Sequence, residues 1–260
     1  VDGVTPVVAA IGTTHPYASA GLLLDLTAIR SLGAQPVAIV AGVSAQDAGR
    51  VLARAPVDAA TIAAQFAALG DTPVAAFCVG ALLDAGSVRA VATGLERYPH
   101  VPVVCDPVIA ASGGDRLADD ATIDAMRAAL FARCSLLTPN LAEAALLTGM
   151  PIADVAAMHA ALPALLALGS TAVLLKGGHL DGDACDLFAD GRNVRELRAA
   201  RIPLDLRGTG SLLASAIAVR CAFGDTLAVA IDRARTFVRE CIEHGAMFGG
   251  MRIAFSIESA

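Results

Sequence analysis

Gly208-Thr209-Gly210-Ser211 runs directly into an apolar stretch, 212–223, whose spacing predicts a helix. Small residues at a helix start let an anion approach the first N–H groups, which have no acceptor inside the helix. The helix dipole favours negative charge at the same place. The four residues also suit an ordinary turn into a helix, because short glycine matches are common. Asn140-Leu141-Ala142-Glu143 opens another predicted helix and sets a carboxamide and a carboxylate one turn apart on one face. Such a pair can hold a hydrated Mg²⁺, which keeps most of its waters and takes one or two carboxylates. It is equally a helix cap, Asn at the N-cap with Glu at N3. Lys176 is the one lysine in 260 residues; it closes an apolar run and is followed by Gly177-Gly178-His179. There it can neutralise anion charge, or it can be a surface lysine whose stem lies over apolar neighbours. Asp106-Pro107 ends a further apolar run as a turn, or as a carboxylate aimed at metal or substrate. His15 and His179 are further candidates for a ligand hydrogen bond. The zincin, nucleophile-elbow and Walker A patterns are absent.

These residues need a scaffold, and the apolar pattern supplies one. Runs at 7–11, 37–40, 74–79, 101–105, 136–138 and 173–176 read as strands. Between them, 21–32, 59–69, 87–98, 120–132, 141–148 and 154–168 carry apolar residues at helical spacing. Gly33, Gly70, Gly149 and Gly169 stand where a left-handed residue closes a helix, and Asp58 is placed to cap the helix after it. Continuously apolar strands alternating with helices imply an α/β fold, a mainly parallel sheet with helices on both faces. In such a sheet ligands bind beyond the carboxyl ends of the strands, where Asp106, Thr138-Pro139-Asn140 and Lys176 all stand. Segments 185–189 and 194–197, joined around Asp190-Gly191, read as a β-hairpin before two last helices, about 209–223 and 226–245. No linker or internal repeat divides the chain, so residues 1–260 are read as a single domain.

Composition narrows the function. Hydrophobic residues make up 56% and mean hydropathy is +0.64, but alanine supplies much of this and no stretch reaches about 18 uninterrupted apolar residues. The expectation is a soluble, cytoplasmic protein without membrane contact. A net charge of −6 and an isoelectric point near 5.3 argue against nucleic-acid binding. Six scattered cysteines with no C-x-x-C pair fit free thiols in a reducing compartment.

Taken in order, Ser112-Gly113-Gly114-Asp115-Arg116-Leu117, Leu137-Thr138-Pro139-Asn140-Leu141-Ala142-Glu143-Ala144, Leu175-Lys176-Gly177-Gly178-His179 and Gly208-Thr209-Gly210 resemble one family. It is hydroxymethylpyrimidine (phosphate) kinase, the thiamine-pathway member of the ribokinase-like superfamily. The resemblance extends to Gly21 and Asp25 in the first helix and to Ser44-Ala45-Gln46 after the second strand. It implies a ribokinase-like fold, a homodimer, and ATP- and Mg²⁺-dependent phosphorylation of a pyrimidine hydroxymethyl group or its monophosphate. A pyridoxal-type vitamin kinase, or a weakened nucleotide- or pyrimidine-binding relative acting as sensor or partner, are the alternatives. By this resemblance Asn140 and Glu143 organise the metal, and Gly208, Thr209 and Gly210 form the anion hole beside Ser211. Lys176, Gly178 and His179 then serve the nucleotide, and Gly12, Gly21, Gln46 and Asp106 the small-molecule substrate. Four departures stand out. Ser211 replaces the family's Cys and the superfamily's Asp; Leu206-Arg207 replaces Thr-His; Ser112 replaces a lysine; and the first glycine-rich segment is rebuilt as Gly12-Thr13-Thr14-His15-Pro16-Tyr17-Ala18-Ser19-Ala20-Gly21, one residue longer.

Overall fold

Every apolar run expected as a strand joins one nine-stranded sheet of order β3-β2-β1-β4-β5-β6-β7-β8-β9 in the computed structural model, which describes residues 5–17, 19–47, 50–111, 113–178, 180, 182–204, 206–248 and 251–253. The first half of the chain gives β1 (Val7–Thr14), α1 (Gly21–Ser31), β2 (Gln35–Gln46), β3 (Val51–Pro56), α2 (Ala59–Ala68), β4 (Val74–Val79), α3 (Ala85–Leu95) and β5 (Val103–Cys105). Then come α4 (Asp120–Ala125), β6 (Leu136–Leu137), α5 (Leu141–Thr148), α6 (Val155–Leu166) and β7 (Val173–Leu175). The hairpin β8 (Ala184–Ala189) and β9 (Val194–Ala199), α7 (Thr209–Ala222), α8 (Leu227–Glu243), β10 (Ala246–Phe248) and β11 (Met251–Ile253) complete it. Strands β2, β1, β4, β5, β6 and β7 are parallel, and antiparallel strands close both edges.

Alternation along the strands splits the core into two layers. Ala9 and Ile11 of β1 face a layer with Phe66 of α2, Val91 of α3 and Leu165 of α6. Val8 and Ala10 face the other, with Leu24 of α1, Ile217 of α7 and Ile231 of α8. Helix α7 buries every residue from Leu212 to Val219, as a helix apolar all round must when it lies between a sheet and α8. Asp58 caps α2 by accepting the Thr61 N–H, and Asp190 turns the β8–β9 hairpin by accepting from Arg192 and Asn193.

The structure corrects several boundaries. Strand β2 runs on to Gln46 and pairs there with β3, which carries almost no buried side chain and so no apolar signature. The expected helix 120–132 is α-helical only to Ala125, then widens to a π-turn at Met126–Leu130 and tightens to a 3₁₀ turn at Phe131–Arg133. The last helix stops at Glu243 and a small β10–β11 hairpin follows. Among the described residues no helix is long and apolar enough to cross a membrane, and the six cysteines are unpaired.

Candidate active site

The parallel strands deliver successive carboxyl ends to one edge of the sheet. Just past the strands the backbone ladder continues, Asp106 N–H to Val79 O (2.8 Å), Thr138 N–H to Cys105 O (2.9 Å) and Lys176 N–H to Pro139 O (2.9 Å). This staggers the three side chains along one line. Asp106 is 5% exposed, and its Oδ1 accepts from Lys176 Nζ at 2.7 Å and Thr138 Oγ1 at 3.1 Å. Burial works against the lysine charge, but Asp106 and then Glu143 outweigh it and hold the ammonium above its ordinary value. The ammonium is therefore charged and inward-facing.

Helix α7 starts against that pair. Gly208 has φ +83°, and a Cβ there would run into the Ser19 carbonyl and Leu24, so the turn needs glycine. The helix's own ladder begins with Leu212 N–H to Gly208 O at 2.9 Å, and no side chain caps this end. The N–H groups of Thr209, Gly210 and Ser211 thus precede the ladder. A Cβ on Gly210 would lie 2.9 Å from Asp106 Oδ2 and 3.3 Å from Lys176 Nζ. A partial positive helix end, the Lys176 ammonium and the Asp106 carboxylate paired with it meet here around one small space. The Ser211 hydroxyl oxygen accepts the Gly21 N–H at 3.2 Å, which ties the start of α7 to the start of α1 and leaves the hydroxyl proton to donate.

Asn140 and Glu143 form a complete capping box. Asn140 Oδ1 accepts the Glu143 N–H at 2.9 Å, and Glu143 Oε2 accepts the Asn140 N–H at 2.8 Å. The carboxyl of Glu143 is nevertheless 5% exposed and raised to about 7. Burial is the main cause and Asp106 adds to it, while Lys176 and the Asn140 and Ile109 N–H groups oppose it. No group of three or more His, Cys, Asp and Glu side chains suited to a metal occurs among the described residues. One buried carboxylate with one oxygen engaged in a cap fits a cation held through its waters, not a cage of protein ligands.

Comparison with known proteins follows this geometry. A family model described as phosphomethylpyrimidine kinase matches residues 16–255. The chain belongs to the phosphomethylpyrimidine kinase family. It is 35% identical to a hydroxymethylpyrimidine/phosphomethylpyrimidine kinase of Streptomyces coelicolor, over 94% of this chain and 91% of that one. It is 37% identical to the thiamine biosynthesis bifunctional protein ThiED of Geobacter sulfurreducens, covering 86% of this chain but 46% of that larger protein. The crystal structure of an ADP complex of Bacillus subtilis pyridoxal kinase superposes with a TM-score of 0.88 at 25% identity, covering 96% of this chain and 97% of that one. The fold is ribokinase-like and the family is one of small-molecule kinases.

The remaining residues expected in this phosphomethylpyrimidine kinase family member's site lie on other elements. Gly12 is buried in β1 beside Gly80 and Ala81, where the β1–β2 register shifts. Gly21 opens α1 at φ +62°, with the Thr13 carbonyl 2.7 Å from where a Cβ would stand. Gln46 ends β2 and donates to Ser44 Oγ at 2.7 Å; the carbonyl of the next residue, Asp47, accepts from Arg207 Nη1 at 3.1 Å. Gly178 has open space around it, and its carbonyl accepts from Arg201 Nη1 at 2.7 Å; the same guanidinium also holds the Leu180 and Gly182 carbonyls. His179 and Ser112 lie outside the described residues. Among the described residues no hydrogen bond joins Gly12, Gln46 or Gly178 to the Asp106–Lys176 pair.

Sequence reading gave no role to two groups. Asp25 is 2% exposed behind the site, accepts from Ser215 Oγ at 2.8 Å, and is raised to about 7, chiefly by burial. A lone acid within the apolar run Leu22-Leu23-Leu24-Asp25-Leu26 was the available signal. Arg201 and Arg235 brace the loop after Lys176, Arg235 by binding Asp186, whose other oxygen accepts the Gly177 N–H at 3.0 Å. Their partners lie far away in sequence and nothing local pointed to them.

Proposed function

We propose that this chain transfers the terminal phosphoryl group of ATP to the hydroxymethyl group of a hydroxymethylpyrimidine or to its monophosphate, with Mg²⁺. The observation that carries the reading is the uncapped start of α7 set against Lys176 and Asp106. Phosphoryl transfer asks for positioning and charge neutralisation, which an ammonium and unpaired N–H groups supply. In this reading the N–H groups of Thr209, Gly210 and Ser211 hold the phosphate and Lys176 offsets its charge. Gly178 and His179 line the nucleotide, Gly12, Gly21, Gln46 and Asp106 the substrate, and Ser211 donates a hydrogen bond to the reacting oxygens.

Asn140 and Glu143 would hold Mg²⁺ through its waters, and the cation would neutralise phosphate charge when bound. The names of the relatives support the pyrimidine substrate, and the ADP complex of the pyridoxal kinase supports the nucleotide. The superposition on that pyridoxal kinase favours pyridoxal as the second reading. The functional unit we propose is a homodimer of single-domain chains in the cytoplasm, acting on small molecules and not on nucleic acid. The test is ADP release with ATP and Mg²⁺ on hydroxymethylpyrimidine, its monophosphate and pyridoxal in parallel. Pyrimidine-dependent release is expected; release with pyridoxal alone moves the chain to the second reading, and none with any of the three refutes both.

A further inference from the structure

Ser211 follows the Gly208-Thr209-Gly210 turn, but its hydroxyl oxygen already accepts the Gly21 N–H, and a hydroxyl is a poor base near neutrality. A kinase acting on an alcohol still gains from a group that takes the hydroxyl proton. The two oxygens of the Asp106 carboxyl have different surroundings. Oδ1 accepts Lys176 Nζ at 2.7 Å and Thr138 Oγ1 at 3.1 Å, and these two bonds hold the group in place. Oδ2 accepts from no donor among the described residues, and although the residue is only 5% exposed this oxygen is not closed to solvent. It is aimed at the start of α7. The point where a Cβ on Gly210 would stand lies 2.9 Å from Oδ2 and 3.9 Å from the carboxyl carbon, with Lys176 Nζ 3.3 Å away. Buried polar atoms are nearly always paired, so an oxygen left open toward one small space marks where a ligand's donor belongs.

We propose that Asp106 Oδ2 takes the hydroxymethyl proton of the substrate, an assignment that rests on the kinase reading above. In that reading the phosphoryl group lies on the Thr209, Gly210 and Ser211 N–H groups, and the attacking oxygen must come within about 3–3.5 Å of its phosphorus. The attacking oxygen thereby enters the space that Oδ2 faces. Its proton passes to Oδ2, and its electron pair forms the new bond to the terminal phosphorus. The bond from that phosphorus to the bridging oxygen breaks and its electrons leave on ADP; the carboxylic acid then returns its proton to water. A carboxylate beside a phosphate would repel it, but the Lys176 ammonium on Oδ1 offsets that charge. Once protonated, Oδ2 turns from an acceptor into a donor toward the phosphate oxygens. Thr138 is then a positioning residue that acts through Asp106.

The experiment compares parent and Asp106→Asn for ADP release with hydroxymethylpyrimidine and with its monophosphate, each across a Mg²⁺ titration. Affinity toward a non-hydrolysable ATP analogue and thermal stability are read alongside. Asn keeps an oxygen for Lys176 and Thr138 but offers the proton no carboxylate. Toward the alcohol, kcat should fall about 100-fold or more, with KM and analogue affinity moved by less than about threefold. The accepting oxygen of the monophosphate is already deprotonated near neutrality, its second pKa being about 6, so the loss toward it should be at least about tenfold smaller. A binding or structural role would lower both activities alike. Equal losses toward the two substrates, a loss that saturating Mg²⁺ restores, or alcohol turnover within about threefold of parent each overturn the assignment and leave the kinase reading intact. Should Asp106→Asn not fold, Thr138→Val removes one of the two bonds that aim the carboxyl. It should lower kcat toward the alcohol about tenfold, with a smaller loss toward the monophosphate and recovery in Thr138→Ser; equal losses again overturn the assignment. A parent active on the monophosphate alone overturns it too, since no hydroxyl proton is then taken. A parent that releases no ADP with either substrate overturns the kinase reading and the role of Asp106 together.

Discussion

Gly210→Ala separates the anion site from the helix that carries it. A methyl at this position would stand 2.9 Å from Asp106 Oδ2 and 3.3 Å from Lys176 Nζ. Carbon against oxygen settles near 3.5 Å, so the carboxylate must retreat by roughly half an ångström or the methyl must occupy the phosphate's space. Either way about one charge-assisted hydrogen bond to the anion is lost, on the order of 1.5–3 kcal/mol. At about 1.4 kcal/mol per tenfold, that is roughly a 10- to 150-fold rise in Kd. Stability should move little. Gly210 is not among the glycines with positive φ, so alanine meets no backbone strain, and its better helix propensity returns up to about 1 kcal/mol. Calorimetry with a non-hydrolysable ATP analogue and Mg²⁺ reads the first quantity, and urea unfolding the second. Affinity within about twofold of parent, at unchanged stability, would refute phosphate binding at the start of α7.

Three further outcomes are expected. Glu143→Gln keeps the capping box, since Gln also serves at N3, so stability should stay within about 1 kcal/mol while the Mg²⁺ concentration for half-maximal ADP release rises about tenfold; a magnesium titration decides it. Folding raises Asp25 from 3.8 to about 7. The native state therefore holds that proton more tightly than the unfolded chain, and the stability it contributes is full below the unfolded value and lost as pH rises toward 7. Asp25→Asn keeps an acceptor for Ser215 and should remove that loss, on the order of a few kcal/mol at alkaline pH. Glu143 has a slope of the same sign, so the readout is the parent–variant difference in urea unfolding across the range. Gly94→Ala drives a methyl into the Phe66 ring between α3 and α2, and should destabilise by about 1–3 kcal/mol or more in a thermal melt.

Much of this architecture is legible because burial writes it into the chain. The runs at 74–79 and 141–148 match β4 and α5 end to end, and Asp190-Gly191 turns the hairpin as its residue types demand. Asp106, Asn140 and Lys176 were findable because each follows an apolar strand, and parallel strands bring such residues together. Strand β3 was not, since Val51-Leu52-Ala53-Arg54-Ala55-Pro56 faces solvent and ends in proline, as edge strands tolerate. The closures that complete the site were also hidden. Ser211 meets Gly21, and Ser215 meets Asp25, across 190 residues of chain each, and no periodicity reports such a contact.

The lone side-chain amine of the chain has a consequence for reagents. All other side-chain cations among the 19 Lys and Arg residues are guanidinium groups, which neither acylate nor form imines under mild conditions. Lys176 itself is mostly hidden in an ion pair that keeps it protonated and hence non-nucleophilic. Aldehydes, activated esters and amine cross-linkers therefore find this protein nearly blank beyond its terminal amine. Any acylation at Lys176 counts, molecule for molecule, how often the Asp106 pair comes apart, which makes a routine labelling reaction a direct clock for the opening of the site.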